Sequence, residues 1–254
     1  MKKRLDVWMV ERGLAESRTK AQALVLEGKV RVAGQVETKA SRALSEDDVP
    51  IEVEAPPRFV SRGGEKLEGA FLRFGAEGLT DRLVADGLIC LDVGSSTGGF
   101  TDCLLQHGAR LVMAVDVGTN QLAYRLRTNP RVWVRENYNA RYMESIDLPQ
   151  RPQLAVTDVS FISLKLILPP ICRVLESGGK IVALIKPQFE VGKGMAPGGL
   201  VRDESLRCQA RDEIVRFAQS ELGLRLIGLC ESPIRGREMG NIEYLSYWEK
   251  PLSL

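Results

Sequence analysis

The sequence predicts an α/β protein: a doubly wound α/β sheet preceded by a small α+β module. Three observations carry this. From residue 59 onward, short apolar runs rich in strand formers alternate with segments of helical spacing. One junction, Leu91-Asp92-Val93-Gly94-Ser95-Ser96-Thr97-Gly98-Gly99-Phe100, passes from a strand through small residues into a helix. Residues 1–58 have a different rhythm and end at Pro56-Pro57, a stiff linker. Two domains follow, 1–58 and 59–254.

In the first, Leu5, Trp8 and Met9 have helical spacing, and Gly13 can close that helix. Ser17 is a good N-cap for a second helix carrying Ala21, Leu24 and Val25, which Gly28 closes. Lys29-Val30-Arg31-Val32 alternates like a strand, Ala33-Gly34 offers a hairpin turn, and Ile51-Glu52-Val53-Glu54 is a second strand. Arg4, Arg12, Arg18, Lys20, Lys29, Arg31, Lys39 and Arg42 precede the acidic group Glu46-Asp47-Asp48. These charges either make one face basic or are an ordinary solvated helix surface.

In the second, residues 65–74 form a helix with Leu67, Ala70, Phe71 and Phe74 on one side. Strands are predicted at 88–93, 110–115, 132–136, 153–158, 180–185, 224–230 and 243–249, with helices between most of them. Ligands of such sheets bind outside the carboxyl ends of the strands.

The turn from Asp92 to Phe100 bares backbone N–H groups at a helix N-terminus. About 20 residues on, the strand Leu111–Val115 ends in Asp116, placed to accept hydrogen bonds from a ribose. Together they indicate a nucleoside cofactor. The dinucleotide pattern G-x-G-x-x-G fails because Ser96 stands where the second glycine belongs, and a P-loop fails because Phe100 follows Gly99.

Composition sets limits. The chain has 254 residues, 44% hydrophobic and 27% charged, with a net charge of +2, so nucleic-acid affinity needs a local patch. Asp6, Glu11 and Arg12 interrupt any apolar core of a leader after Met1-Lys2-Lys3-Arg4, and no apolar run approaches the ~20 residues of a membrane span. Cys90, Cys103, Cys172, Cys208 and Cys230 lack C-x-x-C spacing and read as reduced packing residues of a cytoplasmic protein. With His107 the only histidine, neither a zinc site nor a histidine-based triad is expected, so no metal is called for.

Polar residues gather at the predicted carboxyl edge. Asp158 ends Leu154-Ala155-Val156, Lys186 ends Ile181–Ile185 and is followed by Pro187, and Glu243 opens the last strand. Glu243 reaches the same edge if that strand is antiparallel. Lys66 sits on the helix entering the domain. Singly, each has a plain reading: Asp158 as a turn cap, Lys186 snorkelling to solvent, Glu243 paired with a surface arginine, Lys66 exposed on its helix.

Several resemblances gather these signals. Asp92-x-Gly94-x-Ser96-x-Gly98-Gly99 resembles the first motif of S-adenosylmethionine-dependent methyltransferases, with Ser96 replacing the usual middle glycine. The pattern Arg4-Leu5-Asp6, Arg12-Gly13-Leu14-Ala15-x-Ser17-Arg18, Ala21-x-x-Leu24 and Gly28-x-Val30-x-Val32-x-Gly34 resembles the S4 domain, a small fold that binds structured RNA through phosphate contacts and shape. That resemblance makes Arg4, Arg18 and Lys20 the candidates for RNA contact. Lys66, Asp158, Lys186 and Glu243 have the order of the Lys-Asp-Lys-Glu tetrad of ribose 2′-O-methyltransferases.

With Ser61-Arg62-Gly63-Gly64-x-Lys66-Leu67, Thr157-Asp158-Val159-Ser160-Phe161-Ile162-Ser163, Lys186-Pro187-Gln188-Phe189-Glu190 and Gly240-Asn241-x-Glu243, the whole chain resembles the TlyA family. That family pairs an S4 domain with a Rossmann-like methyltransferase domain similar to the FtsJ/RrmJ heat-shock enzymes, and its members are often described as haemolysins. The resemblance implies 2′-O-methylation of a cytidine in ribosomal RNA, with S-adenosyl-L-methionine as cofactor and rRNA or a ribosomal subunit as partner. It implies catalytic roles for Lys66, Asp158, Lys186 and Glu243. It implies cofactor contacts from Asp92, Gly94, Ser95, Ser96, Thr97, Gly98, Gly99, Phe100, Asp116 and Asn139, the last standing where the heat-shock relatives carry Asp.

Some members modify only the large-subunit rRNA and others both subunits; Arg4, so near the start, inclines this chain toward the first kind. Lys186 in its neutral form is the expected base for the ribose hydroxyl. The loop Gly192-Lys193-Gly194-Met195-Ala196-Pro197-Gly198-Gly199 is either a segment closing over RNA or simply flexible. A membrane-active haemolysin, a non-catalytic ribosome-binding protein and a methyltransferase for small molecules or base nitrogens are the competing readings.

Overall fold

The computed structural model describes residues 2–45, 50–55, 57–192, 194–236 and 240–252. Glu46-Asp47-Asp48 of the acidic group, Pro56 of the linker and Lys193 of the glycine-rich loop lie outside these residues. The chain divides into two compact units, Met1–Pro57 and Arg58–Leu254.

In the first unit, α1 (Leu5–Glu11) and α2 (Arg18–Leu26) pack on β2 (Val30–Val32), β3 (Gln35–Val36) and β5 (Ile51–Val53), which form one antiparallel sheet. The apolar spacing buries Leu5, Trp8, Met9, Ala21 and Val25 against Val30, Val32 and Ile51. Ser17 caps α2 by accepting the Lys20 N–H at 3.2 Å. A further pair, β1 (Lys3–Arg4) with β4 (Ala43–Leu44), has no counterpart among the predicted strands. Strands of two residues are too short to show an alternating pattern.

The second unit is built on β6 (Ile89–Val93), β7 (Leu111–Val115), β8 (Val132–Arg135), β9 (Leu154–Thr157), β10 (Lys180–Ile185), β11 (Arg225–Glu231) and β12 (Tyr244–Glu249). Among the described residues they form one sheet in the order β11-β12-β10-β9-β6-β7-β8. The five strands from β10 to β8 run parallel, and β12 is antiparallel to both β10 and β11. Of these, β10, β9, β6 and β7 are buried on both sides, which explains their continuous apolar runs, while β8 at the edge is half-buried. Along β10, Val182 and Leu184 face the core formed by α3 (Gly63–Phe74), α4 (Gly99–Gln106) and α5 (Tyr124–Arg127). Ile181, Ala183 and Ile185 face the opposite core, formed with α6 (Leu168–Val174) and α8 (Glu204–Ser220). Between β10 and α8, the single-turn helix α7 (Pro187–Glu190) follows Lys186 directly.

The strand order reverses between β6 and β9, the switch point where ligands of open α/β sheets bind. Val93 pairs with Thr157 across it, so Gly94 and Asp158 leave the sheet side by side. Ile185 pairs with Tyr244, so Lys186 and Glu243 leave it side by side as well. The antiparallel β12 therefore brings the residue before it to the carboxyl edge of the parallel strands.

Candidate active site

At this edge lies a cavity of about 880 Å³. One wall is the turn after β6, through Gly94, Ser95, Ser96, Thr97, Gly99 and Phe100; the other carries Lys66, Asp158, Lys186 and Glu243.

The turn is shaped by backbone conformation. Gly98 caps α4 with φ 95°, and a Cβ there would come within 2.3 Å of Leu126 Cδ1. At Gly99 a Cβ would meet Ser61 Oγ at 2.4 Å and the backbone N of Gly64 at 2.8 Å, so α4 can approach the start of α3 only without a side chain. Ser96 has φ 48°, the left-handed region that glycine enters without strain. Its N–H donates to Asp116 Oδ2 at 2.7 Å, while Asp116 Oδ1 accepts the Gly118 N–H at 2.6 Å. The acid at the tip of β7 thus ties two turns together, and it does not line the cavity.

Asp92 is fully buried beneath the turn. Its Oδ2 accepts a hydrogen bond from Thr101 Oγ1 at 2.6 Å, and Oδ1 has no partner among the described residues. Burial pushes its carboxyl up to about 7, against the opposing Thr101 hydrogen bond. Gly98 also lies off the cavity wall, as does Asn139, which is exposed and accepts the Arg141 N–H at 3.2 Å.

The opposite wall is a chain of alternating charges. Glu243 Oε2 lies 2.7 Å from Lys66 Nζ, Lys66 Nζ 3.7 Å from Asp158 Oδ2, and Asp158 Oδ1 2.6 Å from Lys186 Nζ. Their side chains are between 2% and 19% exposed. Buried charges survive only when paired, and here each has an opposite partner with no net charge over the four. None of the plain readings describes this arrangement: Lys66 and Lys186 are buried, Glu243 pairs with Lys66 rather than a surface arginine, and Asp158 faces both lysines.

Further residues complete the wall. Lys186 Nζ donates to Ser160 Oγ at 2.7 Å, and Gln188 Nε2 donates to Glu243 Oε1 at 3.4 Å. Phe161, 84% exposed with φ 63°, is tilted against Phe189 at a centroid distance of 5.1 Å. Asn241, buried, donates to the Gly199 carbonyl at 2.8 Å and accepts the Val201 N–H at 3.0 Å, pinning the far end of the glycine-rich loop. All five lie within the sequence motifs quoted above, but their partners are distant in sequence.

In the first unit, Arg4 and Arg18 both reach the buried Asp6, at 2.9 and 3.3 Å, and Gln22 Nε2 donates to it at 2.7 Å. The Arg4 hydrogen bond foremost, helped by Gln22 and Arg18, holds the Asp6 carboxyl well below the usual carboxylate range. Both guanidinium groups remain about half exposed, and Lys20, two residues after Arg18 on α2, is exposed as well. Among the described residues, no helix is long and apolar enough to cross a membrane.

Comparison with known proteins identifies the family of each unit. Residues 59–250 match the FtsJ-like methyltransferases and residues 3–50 the S4 domain. The chain is 43% identical over 243 residues to the 16S/23S rRNA (cytidine-2′-O)-methyltransferase TlyA of Mycobacterium tuberculosis, covering 95% of this chain and 87% of that one. It is 43% identical over 251 residues to Hemolysin A of Brachyspira hyodysenteriae, covering 96% and 99%. A solved structure described as a hemolysin from Streptococcus thermophilus superposes with a TM-score of 0.73 at 42% identity, over 98% of this chain and 89% of that one. With that match extending across the sheet, the cavity and its two walls, the chain belongs to the FtsJ-like methyltransferases and carries an S4 domain ahead of the catalytic one.

Proposed function

We propose that the protein transfers a methyl group from S-adenosyl-L-methionine to the ribose 2′-hydroxyl of a cytidine in ribosomal RNA, in the cytoplasm, with the large subunit or both subunits as target. The observation that carries this reading is the buried Lys66–Asp158–Lys186–Glu243 chain facing the glycine-rich turn across one cavity. The sequence identity to rRNA (cytidine-2′-O)-methyltransferases supports the substrate class.

The cavity fits the cofactor. Its volume is within the range of about 300–1,000 Å³ found for small-molecule sites. Gly94 to Phe100 would hold the cofactor's amino-acid end with their backbone fixed by Asp116, and Asn139, outside the cavity wall, would meet the adenine only at its outer edge. Asp92 acts from below, by setting the turn. The cofactor supplies an electrophilic methyl with its own leaving group, so the protein's work is positioning, water exclusion and proton transfer.

A ribose hydroxyl is a weak nucleophile at neutral pH and needs a base within hydrogen-bond reach. Lys186 Nζ, after giving up the proton it carries in the ion pair with Asp158, takes the hydroxyl proton. Asp158 and Lys66 hold that amine in place, and Glu243 balances Lys66. Phe161 offers an exposed ring at the mouth of the cavity for the base of the target nucleotide. Arg4, Arg18 and Lys20 of the S4 unit contact phosphates and supply most of the affinity for rRNA.

The test is mapping of 2′-O-methyl positions in rRNA treated with the wild-type protein and with Lys186→Ala. The wild type introduces a methyl at cytidine; the variant binds cofactor but introduces none. Undiminished methylation by K186A removes Lys186 from the reaction, and methylation of a base nitrogen instead overturns the substrate assignment.

A further inference from the structure

Lys186 Nζ has two protein oxygens close by: Asp158 Oδ1 at 2.6 Å and Ser160 Oγ at 2.7 Å. A neutral amine has two N–H bonds and one lone pair. Of the two oxygens, Ser160 Oγ accepts a hydrogen bond from the amine, whereas Asp158 Oδ1 is an ion-pair partner outside hydrogen-bond geometry, and Lys186 also lines the cavity. Without the hydroxyl the amine would keep no directional partner and would turn about its terminal C–N bond, so its lone pair would spend little time aimed at any one point.

We propose that Ser160 is a positioning residue: its hydroxyl takes one N–H of Lys186, and with the Asp158 carboxylate beside the amine the lone pair is held toward the ribose 2′-hydroxyl. The proton then passes from that hydroxyl to Nζ as the oxygen pair forms the new O–C bond and the methyl–sulfur bond of the sulfonium breaks, its electron pair staying on sulfur. This inference rests on the ribose-methylation reading above.

The support for Ser160 is itself built in. The segment from Asp158 to Leu164 leaves β9 and is tied at its far end to Glu190. Ser163 Oγ donates to Glu190 Oε2 at 2.5 Å, and the Leu164 N–H donates to Oε1 at 2.9 Å. Glu190 closes α7, the single turn that starts directly after Lys186. The hydroxyl and the amine it orients are therefore mounted on one clamp. The chain reverses just after Ser160, at Phe161 with φ 63°. Nothing in the motif Val159-Ser160-Phe161 distinguishes this serine from an ordinary loop residue until the Lys186 side chain is placed beside it.

The experiment compares full-length wild type, K186A, Ser160→Ala and Ser160→Thr in single-turnover and steady-state methylation of rRNA, with cofactor affinity measured by calorimetry. Orientation of a general base is a part of its total contribution of about 10²–10⁴-fold, so S160A is expected to lose roughly 10–100-fold in kcat. Its KM for rRNA and its cofactor affinity stay within about twofold, as for a group acting only on the chemical step. Ser160→Thr restores the hydroxyl and most of kcat. The proposal fails if S160A keeps wild-type kcat, or if S160A and S160T lose activity equally together with cofactor affinity, the mark of a packing role. A wild type that leaves 2′-hydroxyls unmethylated overturns the reaction itself. An active wild type, silenced by K186A but indifferent to S160A, overturns only the role of Ser160.

Discussion

Glu243 Oε2 stands 2.7 Å from Lys66 Nζ, two buried groups separated by 177 positions in the chain. Removing one partner leaves a buried charge whose nearest remaining counterion, Asp158, is 3.7 Å away. Glu243→Ala is expected to cost roughly 3–5 kcal/mol of stability, the range for breaking a buried pair. The double variant Lys66→Met, Glu243→Leu should regain most of that stability without regaining methyl transfer. Urea denaturation beside a methylation assay checks both. A double variant as unstable as E243A would show that the pair is not the source of the loss.

Ser96 holds φ 48°, fixed by its N–H on Asp116. Ser96→Gly should therefore retain cofactor affinity within a few-fold, because glycine enters this conformation freely. Ser96→Val should weaken binding markedly, since a β-branched residue is strongly disfavoured at positive φ. Asp116→Ala frees both the Ser96 and Gly118 N–H groups and should weaken cofactor binding at least tenfold. Calorimetric titration distinguishes the three. Equal affinities for S96G and S96V would mean that the turn conformation is not what the cofactor reads.

Asp92 makes stability depend on pH in an unusual direction. Its carboxyl is raised from 3.8 to about 7 in the folded protein, chiefly by burial. Between those values the folded state binds more protons than the unfolded state, so stability falls as pH rises. The contribution is complete below the unfolded value and is lost as pH passes through about 7. Asp92→Asn should flatten this fall, and so gain on the wild type at pH 8 relative to pH 5. Parallel urea midpoints for the two proteins across that range would count against the buried titration.

The S4 unit should act through charge. Arg18→Ala and Lys20→Ala are each expected to weaken rRNA binding and to lower the slope of log affinity against log salt by roughly one. Both should leave kcat at saturating rRNA unchanged. Arg4→Ala should also destabilise the unit, because the Arg4 hydrogen bond is the main cause of the depressed Asp6 carboxyl. A depressed carboxyl contributes stability above its unfolded value and loses it as pH falls through the folded one. Filter binding at several salt concentrations, and thermal melts taken from neutral pH down well below the unfolded carboxylate value of 3.8, measure these effects. An unchanged salt slope in all three variants would remove these residues from the RNA contact.

Much of the fold was legible because buried parallel strands are written as unbroken apolar runs: Leu111–Val115 and Ile181–Ile185 appear almost residue for residue. Of the site, Lys66, Asp158, Lys186 and Glu243 were legible as polar residues at strand ends or, for Lys66, by resemblance. What depended on pairing was not. That Asp116 bonds the backbone of Ser96, that Asp92 lies wholly beneath the turn, and that Asp6 gathers Arg4, Arg18 and Gln22 are facts of three-dimensional approach. Ser160 and Asn241 stood in quoted motifs without a role, because Lys186 and Gly199 reach them from other parts of the chain.

The position of β12, slotted between β10 and β11, makes the charge chain depend on the completed sheet. Lys66 stands on the helix that opens the second unit, whereas Glu243 precedes a strand that must pair with neighbours on both sides. Until that strand inserts, Lys66 lacks its nearest counterion, and the four-membered charge chain has a missing end. Assembly of the four charges and closure of the sheet are therefore one event.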